Sequence, residues 1–144
     1  MSYIRIWLHC VWASKESGVT IPQSVRGLLL NHLKSFTSEN GINMDAVNIQ
    51  QDHVHALINL GSIQSASEVM QLLKEESANW LNMMKVLPDT FEWNDDYFAL
   101  SVSQSQMQGI KDYINKQDEH HKKFSWDDEQ KLLLEKYEFV KTID

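Results

Sequence analysis

The chain has 144 residues and a mass of 16.8 kDa, enough for one domain with a buried core. Hydrophobic residues make up 42% and charged residues 23%, as in ordinary globular proteins, and no apolar run approaches the roughly 18 residues of a membrane span. The net charge of −7 excludes a protein that grips nucleic acid through overall basicity, so any such binding falls to a local patch.

The first strand is predicted over Tyr3–Trp12, with Ile4, Ile6, Leu8, Cys10 and Trp12 on one face. Thr20-Ile21-Pro22-Gln23 reads as a capping box for a helix to about Asn40, which Gly41 ends. Two strands follow, Asn43–Gln50 and His53–Leu60, joined by a tight turn near Gln51-Asp52. Ser65-Ala66-Ser67-Glu68 opens a helix to about Met84, and Tyr97–Val102 is a fourth strand. Ser103-Gln104-Ser105-Gln106 opens a third helix to about His121, and a last helix runs from Glu129 to about Glu138 after Ser125-Trp126-Asp127-Asp128. This order is the split β-α-β-β-α-β arrangement of α+β, ferredoxin-like folds, an antiparallel sheet with additional C-terminal helices. Helices are expected on one face of the sheet only, with the other free for a ligand or partner.

Six acids and three bases give Asp127–Asp144 a charge of −3 and leave −4 on residues 1–126. We therefore expect one domain, with its core over 1–126 and an acidic helix and tail over 127–144. The lone Cys10 excludes an internal disulfide and a cysteine-rich zinc site. Met1–Ile6 lacks the features of a signal peptide, so the expected compartment is the cytoplasm and no membrane partner is expected.

Asp52-His53-Val54-His55 carries the most chemistry. Strand alternation turns Val54, Ala56, Ile58 and Leu60 to the core and sets His53 and His55 side by side on the open face. Paired imidazoles can begin a metal site, yet alone they read equally well as two half-exposed strand histidines. On the third helix Tyr113 and Gln117 stand at i and i+4, at the edge of a stripe of Met107, Ile110 and Ile114. Gly109, one turn before Tyr113, leaves room for a phosphodiester backbone or serves a helix-packing contact. His9 shares a strand face with Tyr3, Arg5 and Trp7 and reads either as a packed histidine or as a neighbour of the metal site or a DNA strand. Asp52 reads as a turn residue or as an acceptor orienting a ligand histidine. His120-His121-Lys122-Lys123 could contact phosphate or simply complement the helix dipole.

Taken together, Val11-Trp12-Ala13-Ser14-Lys15, Asp52-His53-Val54-His55, Tyr97-Phe98-Ala99, Ser101-Val102, Tyr113-Ile114-Asn115-Lys116-Gln117 and His120-His121 span nearly the whole chain. In this order and spacing the set resembles the single-tyrosine HUH transposases of the smallest bacterial insertion sequences, including the REP-associated tyrosine transposases. The resemblance implies a transposase that cleaves and rejoins single-stranded DNA through a 5′-phosphotyrosine. Tyr113 would be the nucleophile, and His53, His55 and Gln117 would hold a divalent metal, Mg²⁺ or Mn²⁺. It further implies hairpin-forming element ends as substrate and a homodimer. Candidate DNA contacts are Lys15, Lys74, Lys116, Lys122, Lys123 and His9. The chain departs from the family at Lys15-Glu16-Ser17-Gly18, where arginines are common, and at Lys74-Glu75-Glu76-Ser77, where Lys-Gly-x-Ser is common. Both departures bear on the strength of DNA binding. The alternatives are a non-catalytic module that binds structured single strands, and a metal hydrolase with no role for Tyr113.

Overall fold

The structure is a computed structural model and describes residues 1–15 and 19–142. Four strands, β1 (Trp7–Ser14), β2 (Asn43–Ile49), β3 (His53–Asn59) and β4 (Trp93–Val102), form one sheet in the order β2-β3-β1-β4 with every neighbour antiparallel. Helices α1 (Gln23–Glu39) and α2 (Ala66–Met83) cover one face. This is the expected ferredoxin-like architecture. Cys10, Trp12, Val54, Ala56 and Ile58 point from the sheet into that layer and meet Leu29, Leu33, Met70 and Leu73. Gly41 takes φ +67°, the left-handed conformation that lets the chain leave α1 for β2.

The second face is not free, contrary to expectation. After β4 a capping box at Ser103 starts a 3₁₀ turn, followed by α3 (Met107–Asn115), the single turn α4 (Gln117–His120) and α5 (Trp126–Lys136). Met107 and Ile114 of α3 close a second, smaller core with Leu57 and Val102. His53 and His55, expected on an open face, are fully buried beneath this layer.

Other boundaries differ for local reasons. β1 starts at Trp7 rather than Tyr3, because β3 and β4 end opposite it at Asn59 and Val102 and leave Tyr3–Ile6 without a ladder. Thr20 does not cap α1; extended Pro22 precedes it without a side-chain cap, while the Ile21 amide donates to the Gln51 carbonyl. β4 begins four residues early at Trp93, reached through a register shift opposite Trp12–Ser14. The third helix breaks at Lys116, so Tyr113 and Gln117 lie on separate segments. The last helix starts at Trp126, where Ser125 and Asp128 form a reciprocal capping box. Among the described residues, no helix is long and apolar enough to cross a membrane.

Candidate metal centre and tyrosine site

The turn between β2 and β3 is tied down by backbone bonds from Ser14 to the Asp52 carbonyl and from Gln50 to the His53 carbonyl, both 2.8 Å. Alternation along β3 then aims His53 and His55 into the layer beneath α3–α5. Their rings are held from behind. His53 Nδ1 lies 2.8 Å from Asp52 Oδ1, and His55 Nδ1 lies 2.8 Å from Nε2 of His9, which sits opposite Leu57 on the neighbouring strand. Trp126 stacks on His53 with ring centroids 4.5 Å apart.

Both Nε2 atoms face one carboxylate that the sequence reading did not single out, that of Glu129. His53 Nε2 and His55 Nε2 each lie 3.1 Å from Glu129 Oε1, and His121 Nε2 lies 3.0 Å from the same oxygen. The other oxygen accepts from the Tyr113 hydroxyl and, at 3.1 Å, from Gln117 Nε2. Glu129 is 1% exposed. Trp126, Glu129 and Leu133 fall at i, i+3 and i+7, one helical stripe turned to the protein. A carboxylate on an otherwise apolar stripe is the signal in the sequence that would have found it.

Burial depresses His55 to about 4, and the Glu129 carboxylate only partly offsets this, so His55 is a neutral imidazole near pH 7. Burial and the adjacent His55 likewise lower His9, to about 3. Burial also opposes protonation of His53, but the Asp52 and Glu129 carboxylates outweigh it and raise the ring above its ordinary value. For Glu129, burial pushes upward, and the imidazoles of His121, His53 and His55 overcome it and hold the carboxyl far below the usual range. Burial, then the bond and charge of Glu129, pushes the Tyr113 phenol well up, so it is held as a neutral donor.

Among the described residues, three buried polar atoms of the cluster lack a hydrogen-bond partner: His53 Nε2, Gln117 Oε1 and His120 Nε2, the last 3.6 Å from Glu129 Oε2. The Gln117 amide nitrogen already faces two acceptors, Glu129 and the Tyr113 carbonyl at 3.3 Å, which fixes the oxygen as the orphan. Imidazole nitrogen and amide oxygen, both buried with free lone pairs, are a donor set that fits a divalent cation.

The remaining candidates divide by location. Lys116, Lys122 and Lys123 line a cleft of about 550 Å³ together with Tyr113, His120 and Phe124. Lys15 pairs with Glu92 at 3.0 Å at the end of β1. Lys74 donates to the Asp95 carbonyl from α2, in the layer on the opposite face of the sheet. On that helix Ser77 is a core residue, accepting from the Trp93 indole and donating to the Leu73 carbonyl, so the Lys74-Glu75-Glu76-Ser77 segment stands away from the cleft. His9, weighed as a packed histidine or as a neighbour of the metal site or DNA, is 3% exposed and supports His55, a placement that leaves it no surface for DNA. Glu16, Ser17 and Gly18 lie outside the described residues. An added Cβ at Gly109 would meet nothing within 4 Å, which removes the packing explanation for that glycine.

The site thus sets a histidine pair on a ferredoxin-like sheet beside a tyrosine on the helix after the last strand. The chain matches the family described as transposase IS200-like over residues 2–117 and belongs to it. It is 27% identical over 116 residues to the ISDra2 transposase TnpA of Deinococcus radiodurans, an alignment covering 76% of this chain and 81% of that protein. Its fold is similar to that of a Deinococcus radiodurans R1 transposase, with a TM-score of 0.62 at 24% identity, covering 81% of this chain and 93% of that one. It is also similar to a REP-associated tyrosine transposase bound to a REP hairpin, with a TM-score of 0.58 at 14% identity, covering 84% and 72%. The family segment ends at Gln117, so His120, His121 and the whole of α5 with Glu129 lie beyond it.

Proposed function

We propose that this transposase cleaves and rejoins single-stranded DNA, with Tyr113 as nucleophile and His53, His55 and Gln117 as holders of a divalent cation. The observation that carries the reading is the meeting of phenol, imidazoles and amide around the Glu129 carboxylate. A divalent ion there, when bound, would draw charge from the scissile phosphate; hard oxygen chemistry favours Mg²⁺ or Mn²⁺.

The chain's own residues supply the rest. Tyr113 gives up its proton, its oxygen bonds to phosphorus, the bond from phosphorus to the 3′-oxygen breaks, and that oxygen takes up one proton in return. The products are a 5′-phosphotyrosine and a 3′-hydroxyl, which can reverse the step on another strand. Lys116, Lys122 and Lys123 neutralise phosphates along the cleft. Phe124, stacked on His120 at 5.2 Å and 44% exposed, offers a face for an unpaired base, which favours single strands over duplex. Hairpin-forming element ends are the proposed substrate, in line with the REP hairpin held by the structural relative. Tyr113 stands beside its own chain's histidines, with ring centroids 5.6 Å from His55, so the reading works within one subunit. A homodimer, proposed from the family resemblance, is tested by light scattering.

The deciding experiment is a denaturing gel with labelled single-stranded hairpins from the gene's own flanks. Wild type should give a slow covalent band with Mn²⁺ that chelator removes and Tyr113→Phe never forms. The engagement of the Tyr113 hydroxyl by the buried Glu129 carboxylate favours a second reading, a module that binds such strands without cutting. Tight hairpin binding with no band under any condition would establish that reading instead.

A further inference from the structure

We propose that Glu129 is itself a ligand of the metal centre, so that α5, beyond the family segment, closes the site with a carboxylate beside His53 and His55. The inference rests on the reading that the centre holds a divalent ion. Spacing is the first argument. His53 Nε2, His55 Nε2 and a Glu129 oxygen all lie within 4.8 Å of one another, with each nitrogen 3.1 Å from Oε1. Two atoms each ~2.1 Å from one ion are about 3.0 Å apart at a right angle and about 3.4 Å at the tetrahedral angle. The observed separations are those of neighbours in one coordination shell.

Hydrogen accounting on His53 is the second argument. A neutral imidazole carries one N–H, yet the two ring nitrogens face two carboxylates, Asp52 at 2.8 Å and Glu129 at 3.1 Å. The Nε2 atom faces the Glu129 oxygen yet is buried without an aligned hydrogen bond to it. A cation shared by both atoms turns this opposition into two bonds.

Placement is the third. A buried carboxylate opposes folding unless it is well compensated. Glu129 interrupts the apolar stripe of Trp126 and Leu133, at 1% exposure, and the partners that hold it are imidazoles, a phenol and an amide. As a ligand it would bring a negative charge and a hard oxygen to a set otherwise made of neutral donors. Because Oε2 accepts from Tyr113, the same side chain would tether the nucleophile to the centre.

The test is Co²⁺ titration of the metal-stripped full chain, followed by the visible absorption of the ion, with metal-free melting curves for every variant. His53→Ala should abolish binding. Glu129→Gln, close in size, should weaken it by about 100-fold or more, beyond the usual effect of an outer-shell change, and should alter the absorption band. Glu129→Asp, which restores the carboxylate, should bind more tightly than Glu129→Gln. If Glu129→Gln binds Co²⁺ as tightly as wild type while His53→Ala does not bind, the metal reading stands and this inference is overturned. If wild type shows no saturable band, or His53→Ala binds normally, the metal reading fails and takes the inference with it.

Discussion

Asp52→Asn tests whether the turn residue tunes the centre. Asp52 Oδ1 lies 2.8 Å from His53 Nδ1, on the side of the ring away from Glu129. Removing an outer-shell partner of a metal-bound histidine typically weakens metal affinity about 10- to 100-fold. Two features of the site select the lower end. The Asp52 side chain is 32% exposed, so water competes for the ring nitrogen and the charge is screened. Asparagine also keeps an acceptor oxygen, and Trp126 stacked at 4.5 Å continues to fix the plane of His53. We therefore expect Mn²⁺ affinity to fall about 10-fold, or about 1.4 kcal/mol, by calorimetric titration of the metal-stripped protein. Asp52→Ala, which removes the acceptor as well, should fall further. An Asp52→Asn affinity equal to wild type, with an unchanged metal-free melting curve, would refute the role assigned to this carboxylate.

Replacing Lys116, Lys122 and Lys123 together by alanine should weaken single-strand binding and reduce the salt slope by about 2, if each lysine meets one phosphate; filter binding across salt concentrations measures it. Ser77→Ala should destabilise the protein by about 1–3 kcal/mol in urea, because the buried Trp93 indole N–H loses its acceptor. Metal-free protein should lose stability as pH falls from 6.5 toward 4. In that window an unfolded chain binds protons at His9 and His55, whereas the folded rings, lowered to about 3 and about 4, do not. His53, raised, acts with the opposite sign: its contribution is present below 6.5 and is lost as pH rises through its folded value. Melting temperature against pH for wild type and His9→Gln should show a shallower acid loss in the variant.

The sheet was legible because its signals are local. His53-Val54-His55-Ala56 alternates polar and apolar residues, and Ser65, Ser103 and Ser125 mark helix starts that the structure honours. The misreadings arise where tertiary contacts override local preference. Tyr3–Ile6 alternates like a strand but has no ladder beyond Asn59 and Val102; the Leu60 amide donates to the Ile6 carbonyl, and Arg5 donates to Gln104. The fourth strand is expected from Tyr97, yet pairing opposite Ser14 starts it at Trp93. Nothing in Ile114-Asn115-Lys116-Gln117 announces a break, for it holds neither Gly nor Pro. The interruption at Lys116 accompanies the burial of Gln117, whose amide faces Glu129 and the Tyr113 carbonyl.

Glu129 was missed for a related reason, and the same reason explains why net charge misleads here. Acidic residues near the C-terminus read as a solvated tail when counted by sign, and Asp127 and Asp128 are indeed exposed. Helical geometry separates them from Glu129, which falls on the stripe with Trp126 and Leu133 and turns inward to the histidines. The lysines separate in the same way. Lys116, Lys122 and Lys123 gather beside Tyr113, whereas Lys15 and Lys74 engage Glu92 and the Asp95 carbonyl elsewhere. A total of −7 therefore averages a cleft lined by three lysines and Glu119 with the acids elsewhere on the chain. What a phosphate meets is the local field within roughly 8–10 Å, set by ionic screening, and at the Tyr113 cleft three of the four charged liners are lysines.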